Sequence, residues 1–213
     1  MNNLLVINSS AAGTDSVSRV LVADAVSKLI ATAPAARVTH RDLDASPIPN
    51  LTSATLAGVR GIPKSDAEHA ARKLSDELIE ELRAADTLVI GAPMYNFSVS
   101  TLLRAWFDYV LRAGATFSYS DAGPKGLLAG KRAIVVEGRG GLYSEGAAAA
   151  IDFQEPYLRH LLGFVGITDV TFVHAEKLGY GPEARATALT DAKARIAAIV
   201  TSAQAAPAME RAA

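Results

Sequence analysis

The chain contains no cysteine, which removes thiol nucleophiles, thiolate metal sites and disulfide frameworks together. It has no charge bias either: 21 basic against 22 acidic residues leave a formal net charge of −1, without the footprint of a nucleic-acid or anionic-membrane binder. No apolar run approaches the ~18 residues needed to cross a bilayer. The opening "MNNLLVINSS" lacks the basic n-region and long apolar h-region of a secretory signal. The four histidines are scattered, never at H-E-x-x-H or comparable spacing, so no metal site is expected. These absences point to a soluble, cytoplasmic protein with no nucleic-acid or membrane partner. Aromatics are few, at 6%, so any cluster of them asks for a reason.

What is present is an ordinary globular balance. Half of the 213 residues are hydrophobic, and a chain of this length buries roughly 70% of its unfolded surface without disulfide or metal staples. One domain over 1–202 is expected, with the low-complexity tail 203–213, "AQAAPAMERAA", expected to fray. Apolar runs "LLVIN", "RVTHRDL", "DTLVIGAP", "KRAIVVEG" and "DVTFVHAE" alternate with helical patterns. The first helix is read with Val20, Leu21, Ala23, Val26, Leu29 and Ile30 on one side. Strands alternating with helices argue a doubly wound α/β fold, a five-stranded parallel sheet with helices on both faces. The central runs are nearly continuous in Val, Ile and Leu, as strands covered on both sides require. Two stretches interrupt the rhythm, 45–67 and 114–130, rich in proline and glycine. Segments of this length in a compact domain are commonly lids, binding loops or interfaces.

In an open parallel sheet, ligands sit beyond the carboxyl ends of the strands, where the strand order reverses. The first such loop, "SSAAGTDSVSR", has neither a P-loop nor a G-x-G-x-x-G pattern. Its hydroxyls and the following helix N-terminus suit an anion, while Asp15 or Ser16 equally suits a plain helix cap. The loop after the third strand, "GAPMYNFSVS", carries two aromatics, a thioether and an amide. It either packs against its own domain or holds something flat. In the helix that follows, capped by Ser98 or Ser100, Trp106 belongs to an apolar face and reads as core. After the fourth strand, "EGRGGLYSEG" supplies Gly138, Gly140 and Gly141, for close backbone approach or simply for a turn. Together the three loops describe an anion cradle, an aromatic rim and a glycine floor, which suits a flat phosphorylated cofactor such as FMN.

The stretches "SSAAGTDSVS", "PMYNFSVSTLLRAWFDYVLRAGATFSYSDAGPKGL", "RGGLYSEG", "LGFVGITDV" and "YGPE" carry a resemblance over nearly the whole chain. The sequence resembles the FMN-dependent NADH-azoreductases, also called NADH:quinone oxidoreductases, of the flavodoxin-like superfamily. The resemblance implies strand order 2-1-3-4-5 with non-covalent FMN at the reversal between strands one and three. It implies that Ser10, Ser16, Val17 and Ser18 surround the phosphate. Met94, Tyr95, Asn96 and Phe97 would lie along the isoalloxazine, with Gly138, Arg139, Gly140 and Gly141 at its other edge. It further implies a homodimer with both active sites at the subunit interface. The chain departs from the family in three places: Gly138 stands where Ser is commonest, Tyr143 where His is frequent, and Ser118 where a larger polar residue is common.

The expected activity passes two electrons from NADH or NADPH through FMN to a quinone or aromatic azo compound, the substrates using one flavin face in turn. Phe97, Tyr119 and Phe164 are the candidates for an apolar substrate slot, the last two on the resemblance alone. No acid–base residue is assigned; His40, His160 and His174 read as structural. A flavodoxin-type electron carrier shares fold and cofactor but is usually smaller and acidic. A receiver-type signalling domain would need acidic residues after the first strand, where "INSS" has none. A hydrolase would want metal ligands, and a scaffold would leave the serine loop without a purpose. Arg60 either meets a 2′-phosphate or is solvated.

Overall fold

A computed structural model describes residues 1–121 and 123–210, with 203–210 as helical backbone only. Five strands form one parallel sheet: β1 (Asn3–Asn8), β2 (Arg37–Asp42), β3 (Thr87–Pro93), β6 (Arg132–Gly138) and β7 (Asp169–Ala175), in the order β2-β1-β3-β6-β7. Counting only the sheet strands, this is the expected 2-1-3-4-5 with its reversal between β1 and β3. A separate antiparallel hairpin, β4 (Phe117–Ser120) with β5 (Gly123–Gly126), occupies the second of the two long interruptions. The first contains the short helix α2 (Leu56–Arg60).

Successive side chains of a strand face opposite ways, and β1 uses this fully. Leu5 and Ile7, with Leu88, Ile90, Ala133 and Val135, face α3 (Asp66–Ala84), α4 (Thr101–Val110) and α5 (Glu155–Phe164). Leu4 and Val6, with Val89, Ile134 and Val136, face α1 (Val17–Thr32) and α6 (Pro182–Glu210). Both alternating sets are apolar, so the sheet is sandwiched. Fully burying each such side chain contributes about 1.5–3 kcal/mol. Truncating one, as in Ile90→Ala, costs about 2–5 kcal/mol.

The helix ends are set by short polar side chains. Ser16 caps α1, Ser100 caps α4, and Ser65 with Glu68 closes a capping box on α3. Helix α1 buries Val17, Leu21, Val22, Ala25, Val26 and Leu29. Val20 and Ala23, expected on that face, are turned outward, because a turn of 100° per residue carries them away from the Val17–Leu21–Ala25 line. Helix α6 runs to Glu210, into the stretch 203–213 expected to fray, and residues 211–213 lie outside the described residues. Among the described residues, no helix is long and apolar enough to cross a membrane.

Candidate functional site

The first βα loop is drawn inward. Ser9, Ser10, Ser16 and Ser18 are all buried. Ser9 Oγ donates to the Gly91 carbonyl at 2.7 Å, tying the exit of β1 to that of β3. Ser16 Oγ accepts the Arg19 N–H at 3.2 Å and lies 3.1 Å from Ser18 Oγ. The N–H groups of Val17 and Ser18, in the first turn of α1, have no intrahelical acceptor. Two hydroxyls and two N–H groups thus meet at the positive end of a helix dipole. Arg19 brings no charge to this cradle. Its guanidinium pairs with Asp42, contacts Asp44 at 3.6 Å and donates to the Ser10 carbonyl at 3.0 Å. That contact holds the Asp42 carboxyl down to about 2.

The third loop turns at once after Pro93. Tyr95 and Ser98 exchange backbone hydrogen bonds of 2.9 and 3.1 Å around Asn96 (φ +48°) and Phe97 (φ +70°), the signature of a type I′ turn. Asn tolerates this region, whereas a bulky aromatic there costs about 1–2 kcal/mol. The strain holds Phe97 outward, 45% exposed. The ring of Tyr143 meets it edge-on, centroids 6.1 Å apart. Tyr95 reaches back to the first loop, accepting the Ala11 N–H at 3.1 Å with Ser10 Oγ at 3.4 Å.

The fourth loop completes the ring of contacts. The Met94 N–H donates to the Gly138 carbonyl at 2.8 Å. A Cβ on Gly138 would lie 3.7 Å from Ser18 N, and one on Gly140 would meet nothing within 4 Å. The fourth loop therefore borders the hydroxyl cradle on one side and open space on the other. None of Gly138, Gly140 and Gly141 has a positive φ; their use is closeness and openness rather than a left-handed turn. Gly141 lies beneath the Tyr143 ring.

Arg139 turns inward from the fourth loop, away from the loop's open side. Its side chain is wholly buried, paired with Glu137 (2.7 Å), Asp152 (2.9 Å) and Glu176 (3.2 Å), and bonded to Gln154 (3.1 Å). Its backbone N–H and C=O bond Ala175 and Leu178. Arg139 thus anchors the loop from behind. Glu176 accepts from Arg139, from the N–H groups of Tyr143 (2.8 Å) and Ser144 (3.0 Å), and from the Ser144 hydroxyl. Burial pushes the Glu137 carboxyl up. His174 bonds Glu155 at 2.8 Å and lies 3.2 Å from Glu137. The bond to Glu137 raises His174 above its ordinary value. Glu137, Glu155 and His174 bring ligand-type atoms within 4.8 Å of one another, but the Arg139 guanidinium already supplies the countercharge. The other two histidines singled out, His40 and His160, are exposed.

Two of the expected slot residues lie elsewhere. Phe164 ends α5 and packs at 4.6 Å against Phe117, whose ring is 5.5 Å from Tyr119. The hairpin is held from below: Arg83, at the end of α3, donates to the Ala115 carbonyl, and Leu128 N–H to that of Val165. Gly126 is pressed so close to Gly166 that a Cβ would overlap its backbone. Tyr119 and Phe164 therefore lie at the end where the strands begin, and Phe97 at the end where they finish. A cleft of about 680 Å³ adjoins the fourth loop, lined by Glu145, Glu176, Glu183 and Asp191 among others.

Residues 2–200 match the family described as having the flavodoxin-like fold. An FMN-dependent NADH:quinone oxidoreductase of Hyphomonas neptunium is 66% identical over 199 residues, covering 93% of this chain and 96% of the relative. One of the same description from Ralstonia nicotianae is 50% identical over 209 residues, covering 95% and 99%. Among solved structures, an azoreductase from Bacillus anthracis str. Sterne superposes with a TM-score of 0.86 at 26% identity, covering 94% of this chain and 99% of that one. The chain belongs to the flavodoxin-like fold family and, within it, to the FMN-dependent NADH:quinone oxidoreductases.

The residues present fit FMN. A dianionic phosphate matches the hydroxyls and free N–H groups at the α1 N-terminus. The Met94–Phe97 turn and the open side of Gly140 offer a flat ring two edges to lie between.

Proposed function

We propose that this chain is a single FMN-binding domain over residues 1–202 that passes two electrons from NADH or NADPH to quinones and aromatic azo compounds, the two substrates using one site in turn. The observation that carries the reading is the junction of three βα loops: Tyr95 bonded to Ala11, Met94 bonded to Gly138, and Gly138 against Ser18. Relatives bearing FMN, NADH and quinone in their names support it.

FMN held by these residues would supply the redox chemistry, two-electron transfer between a nicotinamide and the acceptor. The chain's own residues bind and orient. Ser10, Ser16, Val17 and Ser18 hold the phosphate. Met94, Tyr95, Asn96 and the backbone of Phe97 lie along the ring, with Gly138, Gly140 and Gly141 beneath and Arg139 anchoring them. N–H groups of the third loop stabilise charge on the reduced ring. Phe97 and Tyr143 form an apolar rim that excludes water and stacks flat substrates. No side-chain acid is assigned, and water supplies the protons.

The working form in this reading is a cytoplasmic homodimer. Phe97 and the Tyr119–Phe164 pair lie at opposite ends of one sheet, so they share a slot only if a second copy brings its hairpin over the first copy's flavin. Tyr119 is 72% exposed, as a residue reserved for a neighbour would be.

The experiment is to purify the protein, record its visible spectrum, and follow anaerobic bleaching by NADH and NADPH, then steady turnover with a quinone. A yellow protein that bleaches and turns over supports the reading. A colourless protein that takes up no FMN sinks it, and a flavoprotein that consumes no NADH with a quinone is an electron carrier instead. Sedimentation of the holoprotein tests the dimer.

A further inference from the structure

The segment Asp152–Phe153–Gln154, between the 3-10 turn Ala147–Ile151 and α5, makes more polar contacts to the site than its sequence advertises. Gln154 is wholly buried. Its side-chain Oε1 accepts from Arg139 Nε at 3.1 Å, while its Nε2 donates to the Ala92 carbonyl at 2.8 Å. Ala92 stands just before the Met94–Phe97 turn, and Arg139 stands between Gly138 and Gly140. One amide therefore joins the two loops that bracket the flavin. Next to it, the Phe153 N–H donates to the Phe97 carbonyl at 3.1 Å, and Ser98 Oγ donates to the Phe153 carbonyl at 3.3 Å. Asp152 fixes the base of the segment, its Oδ1 accepting the Gln154 and Glu155 N–H groups and its Oδ2 pairing with Arg139.

Gln154 stands at the N-cap of α5, but its side chain makes no cap; Asp152 does that work. The amide is thus free to accept from a guanidinium and donate to a carbonyl at once. The left-handed Phe97, strained on its own, receives one of its restraints from this segment.

We propose that residues 152–154 are a positioning strap for flavin reduction, with Gln154 as the positioning residue that sets the Asn96–Phe97 turn against the Gly140–Gly141 floor. The proposal rests on the FMN reading above. Hydride transfer requires reacting atoms about 3–3.5 Å apart, and a misplacement near 1 Å costs on the order of 10²-fold in rate. A strap that sets the loop spacing therefore acts on the rate of flavin reduction more than on nicotinamide binding.

The test uses FMN-loaded wild type, Gln154→Met, Gln154→Glu and Ser98→Ala. Thermal melts, visible circular dichroism of the bound flavin and stopped-flow reduction by NADH are recorded for each. Gln154→Met keeps the length but neither bond; it is expected to reduce at least tenfold more slowly, with NADH affinity changed less than threefold and an altered flavin dichroism. Gln154→Glu keeps the Arg139 contact and loses the donation to Ala92, so it should fall between Gln154→Met and wild type. Ser98→Ala, on the exposed side of the strap, should slow reduction about twofold to tenfold, and it carries the test if Gln154→Met does not fold. A Gln154→Met or Ser98→Ala holoenzyme that melts lower yet reduces at the wild-type rate with unchanged dichroism overturns the proposal. A wild type that binds no FMN defeats the underlying reading instead, so the two failures are distinct.

Discussion

Tyr95 Oη accepts the Ala11 N–H at 3.1 Å, closing the third βα loop onto the first across the point where the strand order reverses. Removing the hydroxyl in Tyr95→Phe leaves the ring in place and frees that N–H. FMN affinity is expected to fall about fivefold, from a loss of ~1 kcal/mol, with the apoprotein melt little changed. Flavin titration and a melt without FMN check this together.

The Ser16–Ser18 pair, 3.1 Å apart, separates capping from anion binding. Ser18→Ala should weaken FMN by roughly twofold to tenfold and leave apoprotein stability nearly untouched. Ser16→Ala should do both, because it also removes the α1 cap, worth about 1 kcal/mol. Urea unfolding of the apoproteins beside FMN titration distinguishes the two. Equal FMN affinity in wild type and Ser18→Ala would leave that hydroxyl without a role in binding.

At Phe97 the backbone and the ring have separable effects. Phe97→Ala removes the ring but keeps a Cβ at φ +70°, whereas Phe97→Gly relieves the strain. Relief of about 1–2 kcal/mol outweighs the ~0.4–1 kcal/mol that glycine adds to unfolded-chain entropy. The glycine variant should therefore be the more stable of the two by denaturant unfolding. Both should raise the quinone KM.

Gly138→Ser should be tolerated. Its Cβ would find ordinary contacts, at 3.7 Å to Ser18 N and Leu178 Cδ1, and its hydroxyl would face the α1 N-terminus. FMN affinity is expected to stay level or tighten by up to about fivefold, one further hydrogen bond of ~1 kcal/mol. Weaker binding would show that the cradle has no room there.

His174 makes stability depend on pH. The bond to Glu137, seconded by Glu155, raises it, against burial and the nearby Arg139; burial moves Glu137 the same way. The folded pair holds its proton more tightly than the unfolded chain does. The histidine's stabilisation is therefore complete below its unfolded value of about 6.5 and is lost as pH rises through the higher folded value. Melts from pH 5.5 to 9 should decline more steeply for wild type than for His174→Gln. Parallel declines would refute the coupling.

The sheet and its layers were legible in the sequence because their cause is local. The continuous apolar run Leu4–Ile7 and the helical spacing along Leu78, Ile79 and Leu82 state which faces are apolar, and burial follows from that. The place proposed for the site follows from the sequence too, since a parallel sheet puts ligand loops at the strand ends. Ser16, Ser18, Asn96 and Phe97 lie in those loops by connectivity alone. What the tertiary structure decided was where long polar side chains spend their hydrogen bonds. Arg139 sits in a loop between glycines, yet its guanidinium turns into a buried network with Glu137, Asp152, Gln154 and Glu176. Those partners are 2, 13, 15 and 37 residues away along the chain. Gln154 looked like any helix-start residue, and its bond to Ala92 spans 62 positions. The separation of Tyr119 and Phe164 from Phe97 was equally hidden, since it depends on which end of the sheet the hairpin packs against. Periodicity encodes faces, because burial of apolar area is non-directional and repeats with the backbone. Hydrogen-bond partners are directional and non-local, so only the folded chain selects them.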